Sequence, residues 1–186
     1  MSTISRPFGL RPAYSPMGVV RPTAYTIASA YGTTILQNQP VKLGANGTVE
    51  AAAIGDRFIG TFQGVEYTNT QGRRVVDNKW IAGTTGTDAV AYVTLDPTIV
   101  YEIQASGPIT VADIGSQADY TAIGTGSTVT GLSTMMLDQG TLTNSASQAL
   151  RIIGIASGPD NAAGDNFTIV LVQVAEHQNV ADRIAY

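Results

Sequence analysis

Prolines at positions 7, 12, 16 and 22 punctuate the first 22 residues, three of them in Arg-Pro pairs (Arg6-Pro7, Arg11-Pro12, Arg21-Pro22). Proline fixes φ, lacks an N–H and pushes the residue before it toward extended backbone. Ser5 to Pro22 is therefore predicted to be neither a helix nor a central strand. Phe8, Leu10, Tyr14, Met17, Val19 and Val20 give this stretch more apolar surface than a disordered tail carries, and Arg6, Arg11 and Arg21 give it positive charge. It reads as an extended N-terminal arm over residues 1–22 that needs a surface to lie on. Its own domain is one such surface; a neighbouring subunit is the other, and is favoured. The contact residues are then Arg6, Pro7, Phe8, Arg11, Pro12, Tyr14 and Arg21.

Charge separates along the chain. No acid precedes Glu50, so residues 1–49 hold only Arg6, Arg11, Arg21 and Lys42, while the remainder carries 6 bases against 14 acids. A basic arm on an acidic body favours contact between copies or with an acidic partner, and argues against direct binding of nucleic acid. Only 13% of residues are charged, which leaves a surface of Thr, Ser, Asn, Gly and Ala, as in subunits that sit within assemblies. A chain of 186 residues suits one domain, burying about two-thirds of its unfolded surface. With no cysteine, thiol nucleophiles, thiolate metal sites and disulfides are excluded. No apolar run approaches the ~20 residues of a membrane span, and no signal-peptide core opens the chain, so a soluble, unprocessed protein without membrane contact is expected.

Past the arm, short runs of Val, Ile, Thr, Tyr and Phe bounded by Gly, Asn, Asp and Pro read as strands. Val41-Lys42-Leu43 and Thr48-Val49-Glu50 flank Gly44-Ala45-Asn46-Gly47, predicting a hairpin over 40–53, because Asn-Gly tolerates the positive φ of a tight turn. A strand follows over Arg57 to Tyr67, with Gly60 and Gly64 marking a bulge or a close backbone approach. It turns at Asn69 to Gly72. Further strands are predicted at 73–76, 79–82, 89–95 and 99–105, with Glu102 and Gln104 on a wet or interface face. The most apolar runs, 150–156 and 167–175, are placed at the centre of the core. Residues 121–131 read as a polar loop, 111–114 as a single helical turn, and the end as a polar final turn or docking tail. The fold class is thus all-β, an antiparallel sandwich or barrel with an extended N-terminal arm. The arm spans 1–22, a single β-rich domain 23–176, and a C-terminal tail 177–186.

Residues for catalysis are sparse. His177 is the sole imidazole and no Gly-x-Ser-x-Gly elbow accompanies it, so it reads as a wet or interface histidine at a strand end. Asp160-Asn161 and Asp165-Asn166 resemble a calcium loop only in composition; without the alternating ligand order or a distal Glu they read as turn-forming residues. Glu66, Asp77, Asp88 and Glu102 sit beside turns or in the polar phase of strands, where solvated surface outweighs a hydrolytic pair. Gly124-Thr125-Gly126-Ser127 lacks the lysine and helix of a phosphate cradle. No catalytic residue, metal or cofactor is assigned, and a binding role is left.

The segment Pro40 to Ala52, Phe58-Ile59-Gly60-Thr61-Phe62, Tyr101-Glu102-Ile103-Gln104-Ala105, and the run from Leu150 through Gly158-Pro159-Asp160-Asn161 to His177 resemble the head decoration (cement) proteins of tailed bacteriophages. The resemblance spans roughly residues 6 to 180 and rests on Gly, Ala and Thr patterns. It implies a β-rich virion structural protein on the outer surface of an icosahedral capsid, bridging subunits of the major capsid protein. It also implies self-association, with a trimer favoured over a dimer, and an N-terminal arm over the capsid surface. Removing residues 1–22 is then expected to leave a folded body that no longer binds. The alternatives are another phage structural component, such as a tail or head–tail joining subunit, and, more distantly, a polysaccharide-degrading enzyme.

Overall fold

A computed structural model of the chain describes residues 3–121, 126–145 and 147–180. The N-terminal stretch supplies β1 (Arg11–Tyr14) and β2 (Pro22–Thr26). There follow β3 (Ile35–Leu36), β4 (Pro40–Leu43), β5 (Val49–Ala51), β6 (Gly60–Asn69), β7 (Arg74–Asp77), β8 (Lys79–Trp80), β9 (Gly86–Thr94) and β10 (Val100–Gln104). The remaining strands are β11 (Gln117–Ala118), β12 (Gly126–Ser127), β13 (Leu132–Ser133), β14 (Leu150–Ile155) and β15 (Ile169–Val174). Single 3-10 turns at Val111–Asp113 and Gln139–Thr141 are the helical elements among the described residues.

Two antiparallel sheets dominate. One has five strands in the order β1-β10-β15-β14-β11; the other has six, β2-β9-β6-β4-β5, with β7 paired to the far half of β6. Two small ladders, β3 with β8 and β12 with β13, complete the set. The layout is sandwich-like, and no barrel closes among the described residues. Of the loop expected at 121–131, residues 122–125 lie outside the described residues, while Gly126 and Ser127 pair with Ser133 and Leu132. The expected strand at 79–82 shortens to β8, which pairs with β3.

Local chemistry explains the main elements. Gly47 adopts φ +71° and its N–H reaches the Gly44 carbonyl at 2.9 Å, closing the β4–β5 turn as Asn-Gly predicts. The β6 glycines do what strand glycines signal. The register against β9 slips between Phe62 and Gly64, a bulge. A Cβ on Gly60 would stand 1.5 Å from the Thr94 carbonyl oxygen, a distance only glycine permits.

Each sheet buries its own apolar cluster. Tyr101, Ile103, Leu150, Ile152, Val170 and Val172 pack with Phe58 and Tyr120 over the five-stranded sheet. Phe62, Val65, Ala91 and Val93 pack with Ile35, Val41 and Trp80 under the six-stranded one. Edge-on ring pairs set the larger side chains, Phe58 with Tyr120 at 6.0 Å and Tyr67 with Trp80 at 5.5 Å.

The sheets meet at a polar seam where β9 hands the chain to β10. The buried Thr94 hydroxyl lies 2.9 Å from that of Thr61 and 3.0 Å from the Tyr101 phenol, whose burial pushes its ionisation far above the usual range. His177 completes the seam and is buried, correcting the expectation of a wet residue. Its Nε2 faces the carbonyls of Ile59 at 2.9 Å and Leu95 at 3.2 Å, and Nδ1 accepts from the Asn179 N–H at 3.1 Å. Those partners fix the neutral tautomer with the proton on Nε2. Beside it, the Gln178 amide pairs both ways with the Leu43 backbone, at 2.8 and 3.0 Å.

The expected divisions at 22/23 and 176/177 do not coincide with breaks in packing. Leu10 is fully buried in the five-stranded sheet's cluster, β1 and β2 are edge strands of the two sheets, and His177, just past β15, is bonded to the carbonyls of Ile59 and Leu95 at the ends of β6 and β9. The tail beyond Val180 lies outside the described residues.

Candidate interaction surface

The N-terminal stretch is extended and never central in a sheet, as its prolines require. It nonetheless lies on its own subunit for most of its length, which corrects the picture of a free strap. The Gln104 side chain, expected on a wet face, is buried and holds this stretch like a strand: its Oε1 accepts from the Arg6 N–H at 2.8 Å, and its Nε2 donates to the Ile4 carbonyl at 3.2 Å. Next, the Leu10 N–H donates to the Asn38 carbonyl at 2.8 Å and the Asn38 amide donates to the Phe8 carbonyl at 3.0 Å. Gly9 sits at φ +75°, and an added Cβ would lie 2.8 Å from the Asn38 carbonyl oxygen. β1 then pairs with β10, Arg11 opposite Glu102.

Several expected contact residues are thus occupied at home. The Arg11 guanidinium lies 4.5 Å over the Phe8 ring and forms an ion pair with Glu102, so neither Arg11 nor Phe8 is a free anchor. Pro7 and Pro12 are half-buried. Arg6, Tyr14 and Arg21 remain exposed, with Tyr14 at 50%.

Between Tyr14 and Pro22 the chain leaves the edge of one sheet for the edge of the other, and here it projects. The excursion is built on Ser15, whose buried hydroxyl donates to the Asp96 carboxylate at 2.8 Å and accepts from the Met17 N–H at 3.2 Å, with the Gly18 N–H closing on the Ser15 carbonyl at 3.1 Å. Burial alone would raise the Asp96 ionisation, but hydrogen bonds from Thr98 and Ser15 outweigh it and hold the carboxyl below its usual range. The fixed turn lifts Met17 and Val19 into solvent at 79% and 78% exposure, beside Tyr14 and Arg21. Met17 and Val19 are the residues that sequence reasoning counted as apolar surface without assigning them contact. Their signal was the Pro16-Met17-Gly18 turn, which leaves a large side chain nothing of its own to cover it. Arg21 has no ion-pair partner among the described residues.

Of the remaining candidate groups, Asp88 is exposed, while most of the others are tied into the fold. Glu66 pairs with Arg74 at 2.7 Å and with the Tyr92 hydroxyl, the latter contributing most to holding its ionisation low, and Asp77 pairs with Lys79 at 3.1 Å. Asn161 donates to the carbonyls of Ala156 and Ile169 and accepts from the Ile169 N–H, and Asp165 accepts from the Ala162 N–H at 3.0 Å. These are the turn-shaping bonds expected of that loop. Among the described residues no three His, Asp or Glu side chains gather where they would hold a metal ion. Comparison of the chain with protein-family models, with curated proteins and with solved structures found no match in any of the three.

Proposed function

We propose that this protein is a virion structural subunit that decorates and cements a phage capsid, binding the major capsid protein on its outer surface. The observation that carries this reading is the projecting turn Tyr14 to Arg21. It is a rigidly based patch in which Tyr14, Met17 and Val19 stand exposed beside an unpaired arginine. The patch has the makings of a small interface core: an aromatic and a methionine side chain, both of kinds enriched in such cores, with a cation at the rim. Further support comes from the resemblance of residues 40–52, 58–62, 101–105 and 150–177 to cement proteins, and from a body whose buried His177, Thr61, Thr94 and Gln104 are bonded within the fold. The protein is not an enzyme in this reading. Cementing would work by avidity: many modest contacts must be displaced together before capsomers separate.

The test is binding to emptied, expanded heads. Deleting residues 1–22 is unsuitable, because it strips β1 and the buried Leu10 from the fold. Met17→Asp with Val19→Asp should leave the thermal transition unchanged and abolish occupancy on the capsid faces in electron microscopy. Full occupancy by the double variant removes the patch from the interface; density confined to one vertex or to the tail replaces decoration by a joining or tail role.

A further inference from the structure

We infer that the outer edge of β7 pairs antiparallel with the same edge of a second copy, joining two six-stranded sheets across a two-fold axis. In the β6–β7 hairpin the Asn69 N–H donates to the Arg73 carbonyl at 2.9 Å, and the register runs on as Thr68 with Arg74, Tyr67 with Val75, Glu66 with Val76 and Val65 with Asp77. Antiparallel pairs alternate between bonded and non-bonded, so Val75 and Asp77 turn N–H and C=O toward β6 while Arg74 and Val76 turn theirs away. On that outer side neither Arg74 nor Val76 meets a backbone partner among the described residues. Val76, a β-branched residue suited to a strand, stands 75% exposed.

The other edges are covered or guarded in ways natural sheets use against such pairing. β1 carries Pro12, which has no N–H, and the Arg11–Glu102 ion pair. Past the end of β2, Ile27 bridges to Val49 of β5, whose Ala51 N–H also donates to the Tyr31 hydroxyl. Gln117 of β11 exchanges backbone bonds with Thr143 at 2.9 Å. On β7 the outward-bonding Arg74 would be a guard of the same kind, but Glu66 of its own sheet neutralises it at 2.7 Å.

Charge selects both the occupant and the register. The Arg73 side chain is exposed and has no partner among the described residues, and Asp77 accepts from the Asn78 N–H and from Lys79 on Oδ1 alone, which leaves Oδ2 without one. Four positions apart on an extended strand, Arg73 and Asp77 are separated by about 13 Å and do not meet within one chain. A two-fold axis at Val75 sets Arg73 of each copy opposite Asp77 of the other, flanking a contact between the two Val75 side chains, while Arg74 and Val76 exchange N–H and C=O across the axis. Centring the pairing one residue later would oppose Arg73 to Lys79, one residue earlier would oppose Arg74 to its own copy, and a parallel pairing would set like beside like.

β7 lies at the opposite margin of its sheet from β2 and the Tyr14–Arg21 turn, so the contact does not rest on the proposed function, and its test runs on the purified chain without capsids. Sedimentation equilibrium over a concentration series should show a monomer–dimer equilibrium that weakens with added salt. Val76→Pro, which removes an outward donor from an edge strand, should weaken it at least about tenfold with the melt unchanged. Arg73→Glu should weaken it a few-fold, and combining it with Asp77→Lys should restore it, a readout that survives even if the proline variant misfolds. A monomer at every concentration, an oligomer indifferent to Val76→Pro and Arg73→Glu, or no recovery in the double charge swap would overturn the inference.

Discussion

Residues 3–12 and residues 14–21 share a composition of arginine, proline and exposed-type apolar side chains, yet the first stretch is built into the body and the second projects from it. The difference lies in what each meets. The first runs past Gln104, Asn38 and Glu102, which offer an amide, a carbonyl and a carboxylate in the register an extended chain needs. The second crosses from one sheet edge to the other, held at its base by Ser15 on Asp96 and at its far end by Val20 against the core, with Met17 and Val19 left outside. Whether a proline-marked segment becomes strand or strap is thus decided by groups distant in sequence.

The contrast is most easily broken at Leu10, which is fully buried, against Met17, which is not. Leu10→Ala should cost about 3 kcal/mol through lost burial and a residual cavity, and Met17→Ala should stay within about 0.5 kcal/mol, both read by denaturant unfolding. Equal effects would erase the distinction between the halves. Arg11→Ala should cost about 1 kcal/mol, summing an exposed ion pair and a cation–π contact, and the difference from wild type should shrink in added salt, which screens the ion pair. The smallest effect concerns acid. Asp96 and Asp56 both ionise below the usual value of 3.8, Asp56 mainly through its hydrogen bond from Lys42. A lowered folded-state value means the stabilisation is complete above the unfolded value and drains away as pH falls through the native one. Stability should therefore decline below about pH 4, and Asp96→Asn should start lower at neutral pH and lose less on acidification.

Much of the body was legible because its signals are local. Asn46-Gly47 fixed a hairpin, the β6 glycines announced both a bulge and a close approach, and the apolar runs at 150–155 and 169–174 became central neighbours β14 and β15. Two-residue strands such as β3 and β11 escaped, since so short a run has no period to read. Charge spacing showed that Arg6, Arg11 and Arg21 lack nearby acids in sequence, but not that Glu102, ninety-one positions on, would claim Arg11. His177 was misjudged for a similar reason: its partners are backbone carbonyls, which every residue possesses and no sequence advertises.

The stapling of Gln178 to Leu43 and of His177 to Phe58 and Ile59 has a kinetic corollary. A nascent chain emerging from the ribosome exposes β4 and β6 long before the residues that lock them against the other sheet exist. The finished arrangement waits on residues 135 positions further along, is slow in the manner of non-local β topologies, and until it forms the growing polypeptide offers unfinished sheet margins to its neighbours.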